Sequence, residues 1–364
     1  MNDLPSDGQP TSAAATPGPS AQPRRRSFRR LLLWCTLLVL VLPALGALYQ
    51  LLGNTLDRRR FPMPGRLVDV GALRLHLYCT GQGSPTVILE AGGRSPFATW
   101  DRVQPEVARF ARVCSYDRAG LGYSDVDTAP RTASRVAEQL HTLLATAAIP
   151  GPYVLAGHSI GGFYVRVFAH RYPREVVGLV LVDSSSEDQV ARLGGTAEWQ
   201  ADQAQDNRRR RRQATEMRLG LFRLEHALRG EPIDRDTFLW EQPEALETAT
   251  QETAAFLSAG EEARAAGSLG GLPLVVLTSG THAGSGPSVS PEEARRIWVE
   301  ELQAHLARLS SRGKQVVLMD SGHGVPDERP DAVVGAIREV WTAGAQGPTA
   351  GAEASPPGAG PRTP

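Results

Sequence analysis

The feature that most constrains the fold is an apolar run, Tyr153-Val154-Leu155-Ala156, that ends in Gly157-His158-Ser159-Ile160-Gly161 and passes at once into the helical pattern of residues 162–168. A strand that turns into a helix within so few residues holds Ser159 on a strained corner. Glycines two before and two after it let strand and helix approach without a Cβ clash. The serine hydroxyl is pushed into the open. The helix N-terminus behind it adds partial positive charge and free N–H groups at the same point.

The rest of the chain is punctuated in the same α/β manner. Short β-branched runs at 66–70, 73–79, 86–89, 113–116, 153–156, 176–182, 274–278 and 315–319 read as eight strands. The first two are separated only by Gly71 and Ala72, a hairpin, whereas helix-sized segments at 132–147, 160–171, 291–310 and, after the last strand, 330–341 accompany the later ones. Those later strands should be parallel. Residues 184–272, between the sixth and seventh strands, are too long for a loop and rich in Ala, Glu, Gln, Arg and Leu, so they predict a helical cap. Within it, Leu219, Leu221, Phe222, Leu224, Phe238, Leu239 and Trp240 either face a binding site, favouring an apolar acyl or alkyl group, or pack the cap itself. The run Arg208 to Arg212 reads as a solvated helix face, with anionic lipid headgroups as the alternative contact.

Both ends differ from this body. Residues 1–23 and 343–364 are Pro-, Ala-, Gly- and Ser-rich, a composition that cannot bury enough surface to order itself, and they are expected to be disordered. Residues 24–56 form a basic flank and an apolar stretch: Arg24, Arg25, Arg26, Arg29 and Arg30 precede an uncharged run from Leu31 to Leu56. Residues 31–52 would make a helix of about 33 Å, enough for a hydrocarbon core of about 30 Å. The segment is expected to be a single-pass membrane anchor, or alternatively a signal cleaved near Pro43-Ala44-Leu45-Gly46 after export. The five preceding arginines outnumber Arg58, Arg59 and Arg60 behind it, which places residues 61–342 outside the cytoplasm.

Composition excludes several classes. Basic and acidic residues balance at 39 each, so no overall field favours nucleic acid. The one lysine, Lys314, sits in Gly313-Lys314-Gln315 and lacks the Ser/Thr and the upstream glycine of a phosphate loop. Cys35, Cys79 and Cys114 show no metal-site spacing, and neither metal nor cofactor is expected.

Three further motifs stand in order around the Ser159 turn: Glu90-Ala91-Gly92-Gly93, Asp117-Arg118-Ala119-Gly120-Leu121-Gly122-Tyr123-Ser124-Asp125, and Ser321-Gly322-His323 after the last strand. With these, residues 61–342 resemble an α/β-hydrolase of the serine-nucleophile branch with a cap after the sixth strand. The resemblance implies a mostly parallel eight-stranded sheet flanked by helices. It further implies that Ser159 attacks a carbonyl carbon, that His323 is its base, and that the N–H groups of Ile160 and of Gly93 or Arg94, with Gly93 favoured, form an oxyanion hole. His158, beside the serine, is assigned a structural role. The acid often found after the seventh strand is missing from 278–285. Asp183, ending the sixth strand, is chosen instead, with Glu187 and Asp188 in reserve. Cys79 and Cys114 fall on strands adjacent in this fold, and either a disulfide or two buried thiols fit. The expected activity is hydrolysis of a small, apolar carboxylic ester, less readily an amide or thioester, through an acyl-enzyme. Acyl transfer to another alcohol and a non-catalytic interaction module are the alternatives. Nucleic acid is not expected as a partner.

Overall fold

A computed structural model describes residues 23–281 and 289–346; most of the N-terminal and C-terminal segments expected to be disordered lie outside the described residues, as does His282. One sheet holds β1 (Arg66–Asp69), β2 (Arg74–Thr80), β3 (Thr86–Glu90), β4 (Val113–Tyr116), β5 (Tyr153–His158), β6 (Val176–Val182), β7 (Leu274–Ser279) and β8 (Gly313–Leu318). Their spatial order is β1-β2-β4-β3-β5-β6-β7-β8. The β1–β2 and β2–β4 pairs are antiparallel and the other five are parallel, as the connection lengths require. The last strand starts earlier than its apolar run suggests, because Lys314 pairs with Val275 at the exposed sheet edge while Met319 has left the ladder.

The longer helices are α1 (Pro23–Arg60), α2 (Ala133–Thr146), α3 (Gly161–Arg171), α4 (Thr196–Arg218), α5 (Leu221–Arg229), α6 (Pro243–Ala254), α7 (Phe256–Ala266), α8 (Pro291–Arg296) and α9 (Pro330–Ala345). Alternation along β5 decides the layering. Val154 and Ala156 point to one face, where Val333, Ile337 and Val340 of α9 cover them. Leu155 points to the other, against Leu140 and Leu143 of α2 and Phe163 and Phe168 of α3. The hydroxyl of Thr132 accepts the Arg135 N–H at 3.0 Å and caps α2. Cys79 and Cys114 face one another in the β2–β4 register and are joined as a disulfide.

Helix boundaries differ from the sequence expectation as well. α1 begins at Pro23, with proline at a helix start where its missing N–H costs nothing. α9 continues to Ala345, past the tail expected from 343, because Ala343 and Ala345 favour helix and Gly344 lies directly against Val177. Likewise the helix expected over 291–310 is broken into α8, a π-helical turn Ile297–Gln303 and a short helix Ala304–Ala307.

Between β6 and β7 the chain is helical, with Gln189–Leu193, α4, α5, Arg235–Trp240, α6 and α7 in succession. α4 and α6 meet through Ala214, Met217 and Leu246. α1 contains a stretch long and apolar enough to cross a membrane, and none of that stretch is buried.

Candidate active site

Ser159, Asp183 and His323 follow β5, β6 and β8 respectively, all at the carboxyl end of the parallel strands, where crevices form in open α/β sheets. Ser159 has φ of 54°, the left-handed geometry of a tight corner. Its turn closes because a Cβ at Gly157 would lie 2.7 Å from the Gly161 carbonyl, and one at Gly161 2.7 Å from the Ala91 carbonyl. The Ser159 N–H bonds the Val182 carbonyl at 3.1 Å, which ties the corner to the end of β6.

The structure brings the three side chains into one line. His323 Nε2 is 3.0 Å from Ser159 Oγ, and His323 Nδ1 is 2.6 Å from Asp183 Oδ2. The Asp183 carboxylate is fully buried, and its Oδ1 accepts the Ser279 N–H at 2.9 Å and the Trp298 indole N–H at 2.8 Å. Trp298 sits in the π-helical turn, a local widening of the kind found at functional sites. Neither reserve acid takes this place. Glu187 is buried in a bidentate pair with Arg166, at 2.8 and 3.1 Å, and Asp188 pairs with Arg264 at 2.8 Å.

His158 lies beside this line, with its ring 4.8 Å from that of His323. Its Nε2 donates to the His323 carbonyl at 2.8 Å, since a carbonyl can only accept. Burial, reinforced by the neighbouring His323, pushes the His158 imidazole down to about 4, so it is neutral at neutral pH.

The glycine-rich loop after β3 is held from beneath by an ionic cluster. Arg118 donates to the carbonyls of Ala91 at 2.7 Å and Gly92 at 2.6 Å, to Glu90 at 2.6 Å and to Glu252 at 2.9 Å. All three charged residues are at most 3% exposed. Glu252 arrives from α6 in the insertion, and its other oxygen accepts the Arg94 N–H at 2.9 Å. Burial pushes the Glu90 carboxyl up against the opposing charge of Arg118. Burial acts on Glu252 in the same sense, but Arg118 and Arg131 outweigh it and hold that carboxyl below the usual range. Tyr116 donates to Glu90 from β4.

Gly93, Arg94, Ser159 and Ile160 line one side of a cleft of about 390 Å³, and Gln189, Trp199, Gln203, Arg210, Ala249, Glu252, Thr253 and Phe256 line the other. The apolar insertion residues named from sequence are absent from this lining among the described residues. Phe238 and Leu239 pack against Phe97 and Ala98, Phe222 joins Ala214 and Met217, and Leu221 and Leu224 are exposed. Sequence reading missed Trp298, Glu252 and the clamp by Arg118. Only Arg118 had a local signal, its place after Asp117. No cluster of ligands fit for a metal ion occurs among the described residues.

Residues 75–336 match the profile of the Alpha/beta hydrolase family, well over half the chain. The chain belongs to that family. The Bacillus subtilis protein YqjL is 24% identical over 276 residues, covering 73% of this chain and 87% of the relative. A probable transporter, EfuK, of Hormonema carpetanum is 35% identical over 135 residues, but this chain spans only 19% of its length. A solved structure of a thermophilic esterase from Thermogutta terrifontis superposes with a TM-score of 0.54 at 26% identity, covering 76% of this chain and 98% of the other.

Proposed function

We propose that the protein is a serine hydrolase that cleaves a carboxylic ester through an acyl-enzyme. The observation that carries this reading is the continuous pair of contacts from Ser159 Oγ through the His323 ring to Asp183. His323 takes the Ser159 proton as the hydroxyl attacks the ester carbonyl carbon, then returns it to the departing alkoxide. Water activated by the same imidazole hydrolyses the acyl-enzyme. Asp183 fixes the ring orientation and stabilises the imidazolium formed. The tetrahedral oxyanion is received by the backbone N–H of Ile160 and that of Gly93; the N–H of Arg94 is already given to Glu252. The esterase named among the structural relatives supports an ester over an amide. Trp199 and Phe256, whose rings lie 5.5 Å apart, offer the acyl or alkyl group an apolar wall. In the same reading α1 anchors the protein in a membrane, with the arginines that precede its apolar stretch on the cytoplasmic side.

Turnover of a series of p-nitrophenyl esters of increasing acyl length tests this. Wild type should hydrolyse short to medium esters, and Ser159→Ala should lose on the order of 10³-fold or more in kcat. Equal rates for the two proteins would overturn the reading.

A further inference from the structure

The exposed face of α5 has a use that the site does not explain. Leu221, Leu224 and Leu228 are 49%, 46% and 80% exposed, and their spacing of three and four residues puts them with Ala227 on one side of the helix. The opposite side is occupied: Phe222 packs inward, and Arg223 donates to Asp57 of α1 at 2.5 Å and to Asn54 at 3.1 Å. The leucine stripe is therefore not a misplaced core face.

Its position relative to α1 decides the partner. Gly46, Gln50, Gly53, Asn54 and Asp57 repeat at helical spacing and are the buried or half-buried positions on the second half of α1. This small and polar stripe receives the turn between α4 and α5, where a Cβ on Gly46 would overlap the Leu219 carbonyl and one on Gly220 would lie 2.6 Å from the Gly46 carbonyl. A hydrocarbon core of about 30 Å is filled by about 20 helical residues, so a span starting at Leu31 leaves it near Gln50. Gly46 lies four residues earlier, roughly 6 Å deeper, which is the depth at which an amphipathic helix rests in an interface. The leucine face and the apolar side chains of α1 from Leu31 to Leu52 are both exposed. Beside it, Arg209, Arg212, Glu216, Leu221 and Glu225 share one groove whose charges balance, with Arg212 paired to Glu216 at 2.7 Å and Arg229 to Glu225 at 2.6 Å, so the case for lipid rests on the leucines and their depth rather than on charge.

We propose that α5 is an interfacial helix that inserts Leu221, Leu224 and Leu228 into the same bilayer that α1 crosses. The proposal rests on the membrane anchor of the preceding reading. It makes the insertion a lipid-contacting element, since α4, which leads into α5, also carries Gln203 and Arg210 to the cleft beside Ser159.

The test uses the full chain in nanodiscs of mixed phosphatidylcholine and phosphatidylglycerol. In a Cys35→Ser background the disulfide-bonded Cys79 and Cys114 are spared by labelling. An environment-sensitive fluorophore is then placed singly through Leu228→Cys, Leu38→Cys or Lys314→Cys. Nitroxide lipids should quench roughly half or more of the emission at 228 when the nitroxide is shallow and at 38 when it is deep, and leave 314 unchanged. Quenching at 38 with 228 as unaffected as 314 would overturn the proposal and leave the anchor standing. Blue-shifted but unquenched emission at 228 would also overturn it, because protein rather than lipid would then cover the face. Loss of quenching at both 38 and 228 would overturn the anchor and this proposal together.

Discussion

The carboxyl ends of the strands and the helical insertion contribute to one cleft by different physics. On the sheet side, Ser159, Asp183 and His323 are set by strands that are near neighbours, and each lies within a residue or a few of a strand end. Hydrogen bonds of the ladder itself carry that precision, such as the Ser159 N–H to Val182 and the Asp183 N–H to Leu277 at 2.7 Å. On the insertion side, Glu252 reaches the loop after β3 across 158 residues of sequence and works through buried charge. In the proposed mechanism the sheet supplies the reacting groups, while the insertion holds the backbone that faces them. Loss of a reacting group should therefore abolish turnover, and loss of a support should only weaken it.

The largest expected effect is on the sheet side. Asp183→Asn should lower kcat on the order of 10³- to 10⁴-fold with folding retained by circular dichroism, since the amide can neither orient the ring nor stabilise its charge. Turnover within a few-fold of wild type would remove Asp183 from the mechanism. Glu252→Gln, on the insertion side, leaves Arg118 with one buried carboxylate partner instead of two and loosens the Ala91–Arg94 backbone. We expect kcat/KM for an ester to fall by about 10- to 100-fold, with a lower Tm. An effect as large as that of Asp183→Asn would erase the distinction between reacting and supporting groups.

Trp298→Phe removes one N–H donor from the Asp183 carboxylate and leaves the aromatic packing. A hydrogen bond to a charged group contributes about 1.5–3 kcal/mol, and part of that should appear as a roughly ten-fold loss in kcat, read from steady-state kinetics. The smallest effect concerns stability. Because burial lowers the folded-state pKa of His158 to about 4, the unfolded chain, with a value of about 6.5, binds a proton that the folded protein does not between those two pH values. Folding stability from this residue is complete above about pH 6.5 and declines as pH falls toward 4, by at most ~3 kcal/mol. Denaturant melts of wild type and His158→Asn at a series of pH values should show a shallower acid decline in the variant; parallel curves would mean that His158 is not buried neutral.

The same division explains what the sequence disclosed. The eight strands, the Ser159 corner and the His323 loop are local patterns: a period of two, glycines at fixed offsets, a turn after an apolar run. The position of Asp183 was legible because it ends the run Val180-Leu181-Val182 on a strand next to that of Ser159. The disulfide stayed open because strand adjacency alone does not fix Cα separation. Trp298 and Glu252 carried no local signal, since a tryptophan or glutamate in a helix reads as packing or as a solvated face until its distant partner is known. The apolar residues of the insertion stayed open between lining the cleft and packing the cap for the same reason, because amphipathicity reveals that a face is apolar and not what it meets; Phe222, Phe238 and Leu239 pack.

The most direct measurement is intact mass and peptide mapping of the full chain after reaction with a fluorophosphonate. A single adduct on Ser159 is expected, absent in Ser159→Ala and strongly slowed in His323→Ala. A wild-type protein that hydrolyses esters while Ser159 remains unmodified, or an adduct formed equally in Ser159→Ala, would contradict the account.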